Sequence, residues 1–272
     1  MNKKRKKSEN SNGPKMLHDL AGKKALVTGG ARRIGREIAL ALAREGADVV
    51  IQFLPGEESG ADACRAISEL GAKCWPLEAD FHKGFSVAGG AGYEGLIEKA
   101  GRLAGGLDAV VNNASIFPSS SISSVTSRDF LASMEVNAWT PFVLSRDFAR
   151  FFGKGHILNL IDTRVTSYYW AHIAYIWSKQ VLMSMTRMMA VEFAPGIAVN
   201  GISPGLILPP AGKDESFLKA MEKTVPLKKL GTAEEVASIA MVLLKSEFIT
   251  GEVIRVDGGR HLWEYTPGRH PD

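Results

Sequence analysis

Three observations predict an α/β fold in which a parallel sheet is covered by helices on both faces. Apolar strand-like runs alternate with amphipathic helix-like runs along the chain, an order that builds βαβ units. The strand-like runs are almost continuously apolar, as strands buried on both sides are. The 272 residues, 45% of them hydrophobic, suffice for one substantial core and suit a single domain.

The elements follow in order. Lys24–Thr28, "KALVT", is the first strand. A glycine turn, "TGGARRIG" (28–35), leads into a helix over Ile34–Glu45, where apolar residues recur at helical spacing. The second strand is Asp48–Phe53, and Glu58–Leu70 forms the next helix. The third strand is Lys73–Glu78. A glycine-rich connection, "HKGFSVAGGAG" (82–92), precedes a helix over Tyr93–Leu103. The fourth strand, Ala109–Asn112, is followed by one long helix, Arg128–Arg150. The fifth, His156–Ile161, is followed by Ala174–Phe193, and the sixth is Ala198–Ile202. Residues 204–231 hold many of the prolines and little apolar periodicity, so a substrate lid is expected there. Ala233–Leu243 is the last helix and Val253–Val256 the seventh strand. No internal repeat is found.

The net charge of +4 is a property of the first residues. Residues 1–15 carry Lys3, Lys4, Arg5, Lys6, Lys7 and Lys15 against Glu9, a net +5, which leaves the rest at −1. A solvated basic tail is expected over 1–15 and one domain over 16–272, with nucleic acid an unlikely partner. No apolar core follows the lysines and no stretch is long enough to span a bilayer, so neither a secretory signal nor a membrane anchor is expected. Cys64 and Cys74 match no metal-ligand spacing. A reduced, cytoplasmic protein without a metal is the expectation.

In open α/β sheets, ligands bind beyond the carboxyl ends of the strands. Gly29 and Gly35 permit a tight turn and close approach of backbone to a pyrophosphate, and the helix beginning near Ile34 offers its amides. A carboxylate at the end of the second strand usually holds the ribose of NAD. Here the strand ends Gln52-Phe53-Leu54, with no acid, while Arg32 stands in the turn ready for a 2′-phosphate. NADPH is therefore the expected cofactor.

Tyr175 and Lys179 lie four residues apart, on one face of a predicted helix. A nearby ammonium favours phenolate, lowers the tyrosine's pKa and makes it a usable acid. Around this pair stand "VNNAS" (111–115), Asn137 in "MEVNAWTPF", Asp162 thirteen residues before Tyr175, Pro204-Gly205 and "VDGG" (256–259).

In order and spacing, these motifs resemble the short-chain dehydrogenase/reductase family over about residues 22 to 262. The resemblance implies a single Rossmann-like domain with a doubly wound, seven-stranded parallel sheet, usually a tetramer. It implies hydride transfer between a nicotinamide and a carbonyl or imine-like carbon. Carried over, Tyr175 is the proton donor, and Lys179 binds the nicotinamide ribose. Asn137 holds a relay water, Asp80 contacts the adenine, Asn113 and Ala114 line a ribose, and Thr28 braces the turn. Ile34, Pro204 and Gly205 complete the cofactor-binding set.

Three departures resemble the pteridine reductase branch. Arg33 replaces a glycine of the turn, Asp162 replaces the usual serine, and "NNAS" is followed by Ile116-Phe117. The resemblance implies that Arg33 and Phe117 bind a pterin, with Arg33 also binding the cofactor at its pyrophosphate, and that Asp162 works with Tyr175 in proton delivery. A flat, polar-edged ring suits an aromatic face and a planar guanidinium. The alternatives are a reductase of ketones or 3-oxoacyl thioesters, disfavoured by Arg33 and Asp162, and a catalytically idle NADP-binding protein, disfavoured by the intact Tyr175, Lys179 and Asn137. The aromatic cluster Tyr168, Tyr169 and Trp170 is either a substrate wall or an interface.

Overall fold

The structure, a computed structural model, describes residues 18–83, 92–166, 171–210 and 212–263. Its seven strands are β1 (Lys24–Thr28), β2 (Asp48–Phe53), β3 (Cys74–Glu78), β4 (Ala109–Asn112), β5 (Gly155–Leu160), β6 (Ile197–Pro204) and β7 (Val253–Val256). They form one parallel sheet in the order β3-β2-β1-β4-β5-β6-β7. The order reverses between β1 and β4, where a ligand crevice opens in such sheets.

The alternation of side chains along each strand divides the core in two. Ala25 and Val27, Val49 and Ile51, and Ala109 and Val111 face one side. They pack against α1 (Arg33–Arg44), α2 (Ser59–Glu69) and α8 (Ala233–Lys245). Leu26, Val50, Val110, Ile157 and Val199 face the other. Against them lie α3 (Leu96–Ala104), α5 (Thr140–Phe152) and α6 (Ile173–Glu192). Burial on both faces is why these strands read as continuous apolar runs rather than as an alternating pattern.

The long helix expected over Arg128–Arg150 is instead two helices, α4 (Ser127–Met134) and α5, joined by a π-helical turn at Glu135–Trp139. The cause is legible. Pro141 has no N–H for the carbonyl of Asn137 four residues back, and Thr140 donates to Glu135 five residues back. Such π turns inside helices are frequent at functional sites. The 204–231 segment holds a short helix, α7 (Glu215–Met221), capped by Asp214. A further turn of helix, α9 (Arg260–Trp263), follows β7.

The expectation of reduced thiols is corrected: Cys64 on α2 and Cys74 on β3 are disulfide-bonded, with Cα atoms 5.2 Å apart. Metal-ligand spacing does not test for this pair, which a helix packed along its neighbouring strand brings together. No helix among the described residues is long and apolar enough to cross a membrane. The tail over 1–15, most of the 82–92 connection, and Tyr168, Tyr169 and Trp170 lie outside the described residues.

Candidate active site

The glycine turn is a knot of backbone groups. Thr28, buried at the end of β1, accepts from the N–H groups of Asn113 (2.9 Å) and Ala114 (3.0 Å) and donates to the Val111 carbonyl (3.3 Å). The Asn113 side-chain amide returns to the carbonyls of Thr28 (2.9 Å) and Gly29 (3.2 Å). Gly29 has φ +60, the left-handed region. A Cβ on Gly35 would stand 2.3 Å from the Gly29 carbonyl oxygen and 2.4 Å from the Asn113 amide nitrogen, so only glycine fits. Thr28, Gly29, Gly35, Asn113 and Ala114 thus form one unit at the ends of β1 and β4. Ile34 anchors the start of α1 in the first core.

Gln52, which draws attention in the sequence only for not being an acid, is a brace. It is buried, its Oε1 accepts from the Gly29 N–H (2.9 Å), and its Nε2 donates to the Ala79 carbonyl (2.7 Å). The signal in the sequence is a lone amide in an apolar strand. Asp80, just beyond β3, takes the His82 N–H on Oδ1 (3.0 Å). Across the sheet, Pro204 ends β6 and the Gly205 N–H donates to Val256 (2.9 Å). A Cβ there would meet the Asp257 Cα at 2.7 Å.

The N-terminus of α1 has no side-chain cap and no acid in its first turn. Its free amides and positive dipole end suit an anion. Arg33, its first residue, has φ +55, a strained state for an L-residue that costs about 1–2 kcal/mol. Its Nη2 donates to the Pro209 carbonyl (2.7 Å), tying the turn to the 204–231 segment. Arg32 pairs with Glu57 at 3.1 Å. These cradle residues fit a dinucleotide.

The second half of the site lies at the end of β5 and the start of α6. The Tyr175 hydroxyl, buried, donates to Asp162 Oδ2 (2.8 Å). Lys179, also buried, donates from Nζ to the Leu160 carbonyl (2.7 Å), and the ammonium sits 5.9 Å from the Tyr175 ring centre. Burial brings the Lys179 pKa down to about 8, with Asp162 opposing. Asn137 is fully engaged. Its Oδ1 accepts from Ile116 N–H and Ser115 Oγ (2.9 Å each), and its Nδ2 donates to the Ile116 carbonyl (3.0 Å) and Ser178 Oγ (3.1 Å). It therefore fixes the loop that carries Phe117.

One expectation is reversed. Burial, and then the Asp162 charge, push the Tyr175 pKa well above its usual value. Both effects disfavour phenolate. Lys179 does not offset them here, because its amine is turned to Leu160.

Phe117 stacks on His172 (ring centres 3.7 Å apart) and meets Tyr175 edge-on (4.7 Å). Arg164 lies over the Phe117 ring at 4.7 Å and forks onto Asp162. Sequence reasoning singles out neither His172 nor Arg164. The available signal is a cation two residues past the strand-end aspartate. The arrangement combines a phenol, a carboxylate and an aromatic face around one point beside a dinucleotide cradle. That arrangement places a proton donor and an aromatic face beside the cradle.

Comparison with known proteins agrees. A family model described as enoyl-(acyl carrier protein) reductase matches residues 29–261. The chain is 33% identical over 247 residues to the dihydromonapterin reductase of Citrobacter koseri, covering 87% of this chain and 96% of that one. The crystal structure of FolM alternative dihydrofolate reductase 1 from Brucella canis, complexed with NADP, superposes with a TM-score of 0.82 at 30% identity, over 92% of this chain and 98% of that one. The promiscuous reductase LugOII, which catalyses keto-reduction at C1 during lugdunomycin biosynthesis, gives 0.81 at 30% identity, over 90% and 100%.

Proposed function

The chain belongs to the short-chain dehydrogenase/reductase family, and we propose that it is an NADPH-dependent reductase of a pterin or folate-like ring. The observation that carries this reading is the Tyr175–Asp162 hydrogen bond at 2.8 Å with Phe117 edge-on to the same phenol. A serine at position 162 would suit a ketone oxygen. A carboxylate has no proton to offer that oxygen and instead accepts from the Tyr175 hydroxyl. Similarity to a dihydromonapterin reductase and to an alternative dihydrofolate reductase points the same way.

NADPH would lie with its pyrophosphate over the α1 N-terminus and its 2′-phosphate toward Arg32, and when bound it supplies the hydride. Asp80 would contact the adenine, and Asn113 and Ala114 a ribose. Pro204 and Gly205 would back the nicotinamide. Tyr175 gives its proton to the reduced nitrogen. Lys179 would leave the Leu160 carbonyl for the nicotinamide ribose and so move its charge toward the phenol. Asn137, whose side chain is fully engaged, would hold the relay water through its main-chain carbonyl on the π turn. Arg33 would reach the pterin edge from the turn. Phe117 must exchange His172 for the substrate ring, because its face is already stacked in this structure.

Phe130, Leu131, Trp139 and Trp177 are exposed on α4 to α6 and at the turn between α4 and α5, with Phe130 packed edge-on against Trp177. This supports self-association, for which we propose a homotetramer with a cytoplasmic site of action. The test is NADPH oxidation with biopterin, dihydrobiopterin, dihydrofolate and an acetoacetyl thioester. Turnover of a pterin with none of the thioester is expected. Turnover of the thioester alone would replace this reading with the ketone reductase one.

A further inference from the structure

Asp162 has no acceptor site to spare. Its Oδ1 takes the Arg164 backbone N–H (2.8 Å) and the Arg164 Nε–H (3.0 Å). Its Oδ2 takes the Arg164 Nη2–H (2.7 Å) and the Tyr175 O–H (2.8 Å). A carboxylate offers about four lone-pair positions, and a carboxylic acid needs one oxygen for its own proton. Four donors therefore select the ionised form by geometry alone. The 3₁₀ turn at Thr163–Thr166 makes this possible, since it curls Arg164 back over the residue two positions before it. The fork is bidentate, the strongest and most directional form of this pair.

We propose that Arg164 is a positioning residue for the reduction: by filling three of the four acceptor positions of Asp162 it keeps that residue a carboxylate, so that Asp162 orients the Tyr175 phenol and Tyr175 alone is the acid. The proposal rests on Tyr175 as proton donor and is independent of which ring or carbonyl is reduced. It removes Asp162 as a proton source. In the step, the hydride that bound NADPH would supply from its own C–H bond forms the new C–H bond, the C=N or C=O π pair takes the proton that Tyr175 turns from Asp162 toward the substrate, and the Tyr175 O–H bond breaks. The resulting phenolate stands beside a carboxylate. Arg164, 5.9 Å from the Tyr175 ring, is a cation facing both.

The charged and titratable groups around Asp162 are Arg164 on its own turn, and His172, Tyr175 and Lys179 at and along α6. Asp257, beyond β7, binds Thr163 from the other side and is itself bound by His261. Burial alone pushes the Asp162 carboxyl up, and the Arg164 charge and hydrogen bonds bring it below the usual range.

The test compares wild type, Arg164→Met and Arg164→Lys. Carbon-13 carboxyl resonances are titrated in the cofactor-free protein, with Asp162 assigned by Asp162→Asn. The pH profile of kcat is measured with whichever compound of the panel turns over. A failed pterin reading thus leaves this test intact, and the titration needs no substrate. In wild type, Asp162 stays ionised down through the ordinary aspartate value of about 3.9. In Arg164→Met it titrates above that value, and kcat falls at least roughly tenfold on going from neutral to mildly acidic pH, because the protonated carboxyl can donate to the Tyr175 oxygen and reverse the hydrogen bond that orients it. Arg164→Lys, which keeps the charge and the backbone donor but not the fork, restores the profile in part. An Arg164→Met enzyme that gains activity as pH falls would show that Asp162 is the acid, and an unmoved titration would show that Arg164 does not control it. Should Arg164→Met fail to fold, Asp162→Asn decides: its amide oxygen still accepts from Tyr175, so turnover well above that of Tyr175→Phe supports the proposal, and loss equal to Tyr175→Phe overturns it.

Discussion

The two halves of the site are built on different principles. At the ends of β1 and β4, the geometry is held by backbone groups and by the absence of side chains: Thr28, Asn113 and Gln52 satisfy main-chain partners, and Gly35 leaves room for them. Where β5 meets α6, each chemical group is held by another side chain or by a turned-in carbonyl. Phe117 rests on His172, Asp162 on Arg164, Lys179 on the Leu160 carbonyl. The first half has its shape without a ligand. The second must trade internal partners for substrate and cofactor. A conformational requirement of this kind lowers apparent affinity by the fraction of molecules that are competent.

The largest effect tests the second half. Tyr175→Phe removes the proposed acid and one donor to Asp162 while leaving the knot untouched. Turnover should fall by roughly 10²–10⁴-fold, the range for a general acid, with NADPH affinity near normal by fluorescence titration. Normal turnover would sink the mechanism. The counterpart in the first half is Gly35→Ala. Its Cβ lands 2.3 Å from a carbonyl oxygen that cannot move without breaking the turn. Overpacking of this kind costs about 1–3 kcal/mol, which should appear as a lower melting temperature together with a loss of nucleotide affinity. A variant that melts normally yet fails to bind would mean that the turn adapts and only the pyrophosphate seat is lost.

Arg33 belongs to the first half by backbone and, on the proposed reading, serves the second by a side chain now held by the Pro209 carbonyl, so it tests the contrast itself. Glycine relieves the strain at φ +55 but is more flexible when unfolded, so the net gain in stability is at most about 1 kcal/mol. Pterin affinity in Arg33→Gly should fall about tenfold, the size of one lost charge-assisted bond, with NADPH affinity changing less. Stability held while substrate binding is lost is the mark of strain kept for function. Equal loss of both ligands would assign Arg33 to phosphate alone.

Legibility in the sequence follows the same division. The seven strands and their order along the chain are readable because burial on both faces leaves an unbroken apolar signature, and four of them, β1, β2, β4 and β7, have the expected bounds. The glycine turn is readable because its constraint is local. The break in the helix at Asn137 is encoded by Pro141 but masked by the strong apolar pattern on either side. Arg164, His172 and Gln52 are not legible. Their roles depend on pairings across the sheet or around a turn, and no periodicity marks them. The rise in the Tyr175 pKa is hidden for the same reason: helical spacing puts Lys179 on the right face but says nothing about where its amine points.

The smallest effect concerns Arg32, and it sharpens the claim that the first half is ready for its ligand. Its backbone is, but its arginine is not free: Glu57, four residues past the end of β2, holds the guanidinium at 3.1 Å, with Ser59 Oγ 3.4 Å from the other carboxylate oxygen. The pair is partly exposed, and exposed pairs are worth about 0.2–1 kcal/mol. A 2′-phosphate, with nearly two charges, should therefore displace Glu57 at a modest cost. Neutralising the competitor in Glu57→Gln should tighten NADPH binding by up to about fivefold, the ratio that 1 kcal/mol corresponds to, and leave NADH unchanged. The gain should shrink as salt screens the pair. Arg32→Ala should lower the NADPH to NADH preference, and in that background Glu57→Gln should have no further effect on NADPH binding. If Glu57→Gln instead weakens NADH, then Glu57 reads the ribose hydroxyls directly, and the turn serves both cofactors.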